Sequence, residues 1–179
     1  MIFRPATEAD LPALKLMYRE IIGQMEADGI RIWDDVYPTE VLIDDIRASE
    51  LYMAEQNGAP ACAFALCRST GGIDTMHWQT PLASARYIER LGVSPRHLRR
   101  GLGEACLREA MRIAHEDGAA FLRLFVVDKN TPAIDLYYKI GMTRVDGRYD
   151  KYIFGDFLIS EYGFEIQTKC GSEIKREKR

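Results

Sequence analysis

At 179 residues with 47% hydrophobic content, the chain can bury one substantial core, and nothing in it asks for two. Its formal net charge is −3, and the positive charge is local, around Arg96, Arg99 and Arg100 and at the C-terminus, which argues against a broad basic face for nucleic acid. No run of about 18 apolar residues is present to cross a membrane, and the first ten residues hold no apolar leader core.

In chain order, residues 2–5 read as a short strand. Thr7 caps a helix whose apolar stripe, Leu11, Leu14, Met17, Tyr18, Ile21 and Ile22, fades near Gly23. Between 24 and 38 the pattern breaks, leaving Trp33, Asp34, Asp35 and Tyr37 in a loop or irregular helix, and Thr39 then caps a second helix through Ile46. Residues 51–56 and 61–66 read as strands joined at Asn57-Gly58, the strongest short hairpin signal. A polar loop over 69–81 carries His77 and Trp78.

Residues 86–93 alternate at a period of two, which predicts Tyr87, Glu89, Leu91 and Val93 on one face and Ile88 and Arg90 on the other. A helix over 102–117 follows, with its stripe Leu102, Cys106, Ala110, Ile113 and Ala114 stopping at Gly118. The short apolar run 121–127 reads as a buried strand, and Thr131 caps, with Pro132 opening, a helix that ends at Gly141. Residues 144–147 and 152–164 read as further strands, the second interrupted by Gly155, and GSEIKREKR is a charge run with no core face, expected to be solvated and disordered. The order β-α-α-β-β-β-α-β-α-β-β predicts an α/β (α+β) chain: a mixed, mostly antiparallel central sheet with helices on both faces, in a single domain over 1–168 with a charged tail at 169–179.

Cys62, Cys67, Cys106 and Cys170 form no CxxC pair and show no metal spacing. Cys62 and Cys67, five apart in a strand, point to opposite faces, and a reducing, cytoplasmic compartment is expected. His77 has no Cys or His partner at metal spacing, so no metal site is expected.

Gly101 and Gly103 lie between a strand and a helix start, where N–H groups have no partner inside the helix and the dipole favours an anion. No Gly-Lys-Ser/Thr follows, and Cys106 stands where a dinucleotide fingerprint has its third glycine, so two familiar phosphate loops are excluded. Leu98-Arg99-Arg100-Gly101-Leu102-Gly103 resembles instead the pyrophosphate loop of the GNAT superfamily of N-acetyltransferases, Arg/Gln-x-x-Gly-x-Gly/Ala, with Leu98 departing at its first position. Residues 130–142, with Asn130, Ala133, Leu136, Tyr137, Gly141 and Met142, resemble the family's second motif, Asn-x-x-Ala-x-x-Leu-Tyr-x-x-x-Gly-Phe.

The resemblance implies the acyl-CoA N-acyltransferase fold, in which the strands 86–93 and 121–127 splay apart around acetyl-CoA. It also implies direct acetyl transfer to an amine in a ternary complex. Amides of Arg99, Arg100, Gly101, Leu102, Gly103 and Glu104 would take the pyrophosphate, and the backbone of Leu91, Gly92 and Val93 would pair with the pantetheine arm. Asn130 and Ala133 would border the cofactor, although an Asn before a helix is also an ordinary turn residue. Tyr137 matches the family's general acid, and Tyr138, about 100° further round the helix, does not share that direction.

An alkylammonium with a pKa near 10 costs about 4 kcal/mol to deprotonate at pH 7, so a base helps. Glu89 is the candidate, with a salt bridge to Arg123 as the plainer reading and Tyr87 nearer the position where family members keep a glutamate. Trp33, Tyr37 and Trp78, with Glu89, would suit a cationic small-molecule or peptide amine, or else close the core. A non-catalytic acyl-CoA-binding module of the same fold is the alternative function, and edge strands near the C-terminus leave a homodimer open.

Overall fold

The computed structural model describes residues 1–34, 37–153 and 155–168, so Asp35, Cys170 and the tail at 169–179 lie outside it. The elements are β1 (Phe3–Pro5), α1 (Leu11–Ala27), α2 (Leu42–Arg47), β2 (Leu51–Gln56), β3 (Ala59–Cys67), β4 (Met76–His77), β5 (Ala85–Val93), α3 (Leu102–Glu116), β6 (Phe121–Val127), α4 (Thr131–Lys139), β7 (Thr143–Arg144), β8 (Asp146–Gly147), β9 (Tyr149–Ile153) and β10 (Phe157–Gln167). The main sheet runs β1-β2-β3-β5-β6-β10-β7, with β9 also on β10, and β4 pairs β8 apart from it. Among the described residues only β5 and β6 pair in parallel, because the α3 crossover separates them.

Helices cover both faces, as the alternation along β2 and β3 requires. Cys62, Phe64 and Leu66 join Leu107, Ala110, Leu122 and Leu124 under α3, while Ala63, Ala65 and Cys67 join Leu14, Met17, Tyr18 and Ile46 under α1 and α2. Cys62 and Cys67 therefore do sit on opposite faces. Among the described residues, no helix is long and apolar enough to cross a membrane.

Several boundaries move. The first helix runs through Gly23 to Ala27, since Met25 prolongs the stripe onto the same core. The second opens at Leu42 with Val41, not Thr39, at its cap, after a turn. Asn57 and Gly58 both take positive φ (55° and 76°), giving the expected tight hairpin. Asn130, rather than Thr131, caps α4, accepting from the Ala133 amide at 3.4 Å. The interrupted strand at 152–164 is two strands, β9 and β10, running antiparallel.

The largest departure is in β5. Ala63 faces Gly92 but Ala65 faces Glu89, so Phe64 opposes both Arg90 and Leu91, and Arg90 takes φ 52°. One inserted residue flips the alternation beyond it. Leu91 and Val93 consequently join Ile88 in the α3-side core. A Cβ on Gly92 would meet Ile21 and Tyr18 of α1, and Arg90 turns to Asp45 of α2. The expected face holding Glu89, Leu91 and Val93 together is thus corrected. The Tyr18 hydroxyl fixes the bulge by donating to the Arg90 carbonyl at 2.6 Å.

Candidate active site

The bulge is where the sheet opens. β5 and β6 pair from Ala85↔Phe121 to Ile88↔Leu124 and no further, although β5 runs to Val93 and β6 to Val127. Each strand keeps its outer partner to the end: Val93 opposes Cys62 of β3, and Val127 opposes Glu161 of β10. The inner edges of 89–93 and 125–127 face each other across a cleft of about 770 Å³. That is room for an extended ligand that can use the unpaired strand edge.

At one end the cleft reaches the start of α3. Gly101 takes φ 79° and Arg99 φ 59°, and this left-handed turn aims the first α3 amides into the opening. Gly101 meets no atom where its Cβ would stand, so its need is conformational. Gly103 differs: its Cβ would lie 2.8 Å from Leu136 Cδ2, so its bareness lets α4 approach α3. The Glu104 carboxylate is held by Arg108 (2.8 Å) and Lys139 (3.1 Å), which keep its pKa below the usual range and offset its charge at this corner. Arg99, Gly101, Leu102, Gly103 and Glu104 line the cleft; Arg100 does not, and Arg96 is turned away onto Glu20 at 2.5 Å. His97, which the sequence did not single out, lines the cleft, and its Nδ1 is buried without a hydrogen-bond partner among the described residues.

Midway, Asn130, Ala133 and Tyr137 present α4 to the cleft opposite Leu91, Gly92 and Val93. The Tyr137 ring is buried against Phe164 at 5.6 Å, and burial raises its phenol above the ordinary value of 10. Tyr138 is half exposed, as its direction predicted.

The far end is charged. Arg90, 8% exposed, donates to both Asp45 oxygens (2.7 and 2.8 Å), to Glu89 (2.5 Å) and to the Tyr37 hydroxyl (3.4 Å). Glu161 of β10 is 11% exposed at its side chain and meets the Lys151 ammonium at 3.0 Å. Burial raises the Glu161 pKa, Lys151 opposes that, and nearby Glu89 adds to it. Burial likewise pushes the Cys67 thiol up to about 12. Ligand atoms of Asp45, Glu50 and Cys67 lie within 4.8 Å of one another, but the Arg90 guanidinium already bonds Asp45 and reaches the Cys67 sulfur at 3.4 Å, supplying the cation there.

Trp33 and Tyr37 line this end, Trp33 also packing on Tyr18 at 5.7 Å. Trp78 does not line the cleft. Its indole is 4% exposed, donates to the Ile73 carbonyl and stacks under Arg123. His77 is exposed on β4, away from the cleft. The suggested pair of Glu89 with Arg123 does not form either. Arg123 bonds Glu165 at 3.1 Å with both side chains 1% exposed, and Glu89 bonds Arg90. Arg90, Lys151 and Glu161 were missed along with His97; for Arg90 and Glu161 the signal was a charge inside a strand otherwise built for burial, whereas Lys151 lies on the exposed β9 and carried no such signal.

Comparison with known proteins follows this geometry. The family model described as the acetyltransferase (GNAT) family matches residues 16–142. Thialysine N-epsilon-acetyltransferase of Bos taurus is 26% identical over 155 residues, covering 82% of this chain and 88% of the relative. A GNAT-family acetyltransferase structure from Streptococcus agalactiae superposes with a TM-score of 0.79 at 18% identity, covering 94% of this chain and 96% of its own. A putative acetyltransferase from Salmonella typhimurium, with its cofactor acetyl-CoA, superposes at 0.68 with 19% identity, covering 95% of each chain. At those identities the two structures establish a shared fold.

Proposed function

The chain belongs to the acetyltransferase (GNAT) family, an enzyme family that uses acetyl-CoA, and from that premise we propose that it moves the acetyl group directly to a primary amine of a small molecule or peptide in a ternary complex. The observation that carries the reading is the parting of β5 and β6 beyond Ile88 and Leu124, which leaves one strand edge unpaired beside the glycine corner at Gly101. Acetyl-CoA supplies an activated thioester. The residues present fit it: the free backbone of Leu91, Gly92 and Val93 would hold an extended arm, and the α3 amides from Leu102 would hold a diphosphate.

Glu89 receives the acceptor's ammonium proton, oriented by its bond to Arg90. Tyr137 faces the opposite need. Burial keeps its phenol protonated across the physiological range, so it would donate to the departing sulfur, and the second proton that the nitrogen sheds as the amide forms would restore it, while Glu89 returns its own to solvent. Trp33 and Tyr37 border the acceptor, and the Bos taurus relative is named for acetylating an N-epsilon amine. Buried thiols at Cys62, Cys67 and Cys106 support a cytoplasmic setting.

A panel of polyamines, amino acids, aminoglycosides and peptide N-termini, read as CoA thiol released from acetyl-CoA, tests this. The reading expects release that depends on one class of amine; cofactor binding without release to any of them contradicts it.

A further inference from the structure

The two cations at the charged end of the cleft are held in different ways. Arg90 is built in: it is the bulge residue, nearly buried, and its guanidinium is divided between Asp45 and Glu89. Among the described residues Lys151 has one ion-pair contact, the 3.0 Å bond to Glu161, from a strand at the sheet's margin, and its side chain is 39% exposed. On β10 the residue opposite Lys151 is Ile159, so the lysine reaches diagonally along the same face to Glu161, with the Tyr149 ring 5.6 Å from its ammonium. Glu161 meanwhile is almost enclosed and opposes Val127 on β6, which offers it no charge.

Glu89 and Glu161 line this end of the cleft against Arg90 and Lys151, and Asp45, behind the lining, is bonded to Arg90, so the enclosed carboxylate that depends on Lys151 is Glu161. A buried carboxylate is costly without a partner, and a flexible ammonium is the partner most easily exchanged for another ammonium.

We propose that Lys151 is a stand-in for the acceptor: its ammonium occupies Glu161 until an aliphatic primary ammonium enters, displaces it, and takes over that carboxylate. This rests on the reading of the cleft as an amine-acceptor site and assigns Glu161 as the residue that selects a cation. Like replaces like, so entry adds no unpaired charge to the cleft, and a neutral or anionic acceptor has nothing to offer in exchange. The released Lys151 side chain swings to solvent from the exposed strand.

The test is calorimetric binding of 1,4-diaminobutane to the full chain with CoA present, which does not depend on acetyl transfer. Lys151→Met removes the competitor and should tighten Kd about threefold or more; Glu161→Gln should weaken it about tenfold. Lys151→Arg keeps the charge but grips a carboxylate with a fork, so it should weaken binding. A pocket that merely responds to net charge would leave the Arg variant unchanged, and that result overturns the exchange. So does an unchanged or weaker Kd for Lys151→Met, or no binding to the wild-type and Met proteins alike. Binding that follows the predicted series without thiol release would instead retire the transfer reaction and leave the exchange standing.

Discussion

β5 and β6 are two different structures along their length. From Ala85 to Ile88 they are an ordinary parallel ladder, sealed at its flank by the enclosed Arg123–Glu165 pair, which also binds the Thr80 carbonyl and the Gln79 amide. From Glu89 onward they part, and the arginine there, Arg90, divides its bonds between Asp45 of α2 and the cleft-lining Glu89 and Tyr37. Both halves bury an arginine against carboxylates. The difference teaches that a buried ion pair has a closed, structural form, in which both partners also bind backbone, and an open form at a cleft, where a carboxylate such as Glu89 stays within reach of a ligand.

The largest expected effect breaks the closed half. Arg123→Ala leaves Glu165 buried without its cation and should cost about 3–5 kcal/mol, read from the urea midpoint. In the open half, Tyr137→Phe should lower kcat about a hundredfold with the acetyl-CoA Kd unchanged and little loss of stability, which separates chemistry from folding. Tyr18→Phe removes the donor to the Arg90 carbonyl, and should cost about 1 kcal/mol of stability while weakening acetyl-CoA binding by a few-fold.

The smallest effect is a shift in pH dependence. Glu161 has a raised pKa from burial, so the fraction ionised falls at a pH above that of an ordinary glutamate, and the acid limb of kcat/KM should lie on that side. The groups facing it are Lys151 from β9 and Glu89 from β5, with Val127 of β6 apolar. Lys151 favours the charged form, so Lys151→Met should move the limb to still higher pH. On the alkaline side, burial puts Tyr137 ionisation above its ordinary value of 10, so no loss of rate below pH 10 should trace to it.

The closed half was the more legible in sequence. Tyr87 and Ile88 alternate between two buried faces as the period of two required, and the order of strands and helices pointed to both helical layers. Gly101 announced the corner because a left-handed turn there favours glycine. The bulge had no such marker. Arg90 adopts positive φ without being glycine or asparagine, so the alternation read straight through it and placed Leu91 and Val93 on the wrong face. Arg123 was paired with the wrong acid for a related reason: its register partner on β5 is Tyr87, and Glu89 lies beyond the point where the strands separate. Its true partner, Glu165, stands directly across from it on β10, 42 positions away in the chain. Trp78 was placed in the site by its loop, which composition marked as polar, but its ring fills a small core with Met76, Tyr87 and Val145.

Hydrogen exchange at backbone amides, with and without acetyl-CoA, reaches the central claim directly. Slowed exchange confined to residues 90–93 and to the α3 start at 101–104, with residues 85–88 unchanged because their ladder is already closed, is the expected pattern. Protection that falls elsewhere, or that spreads evenly along β5, would contradict a cofactor seated in the gap between the parted strands.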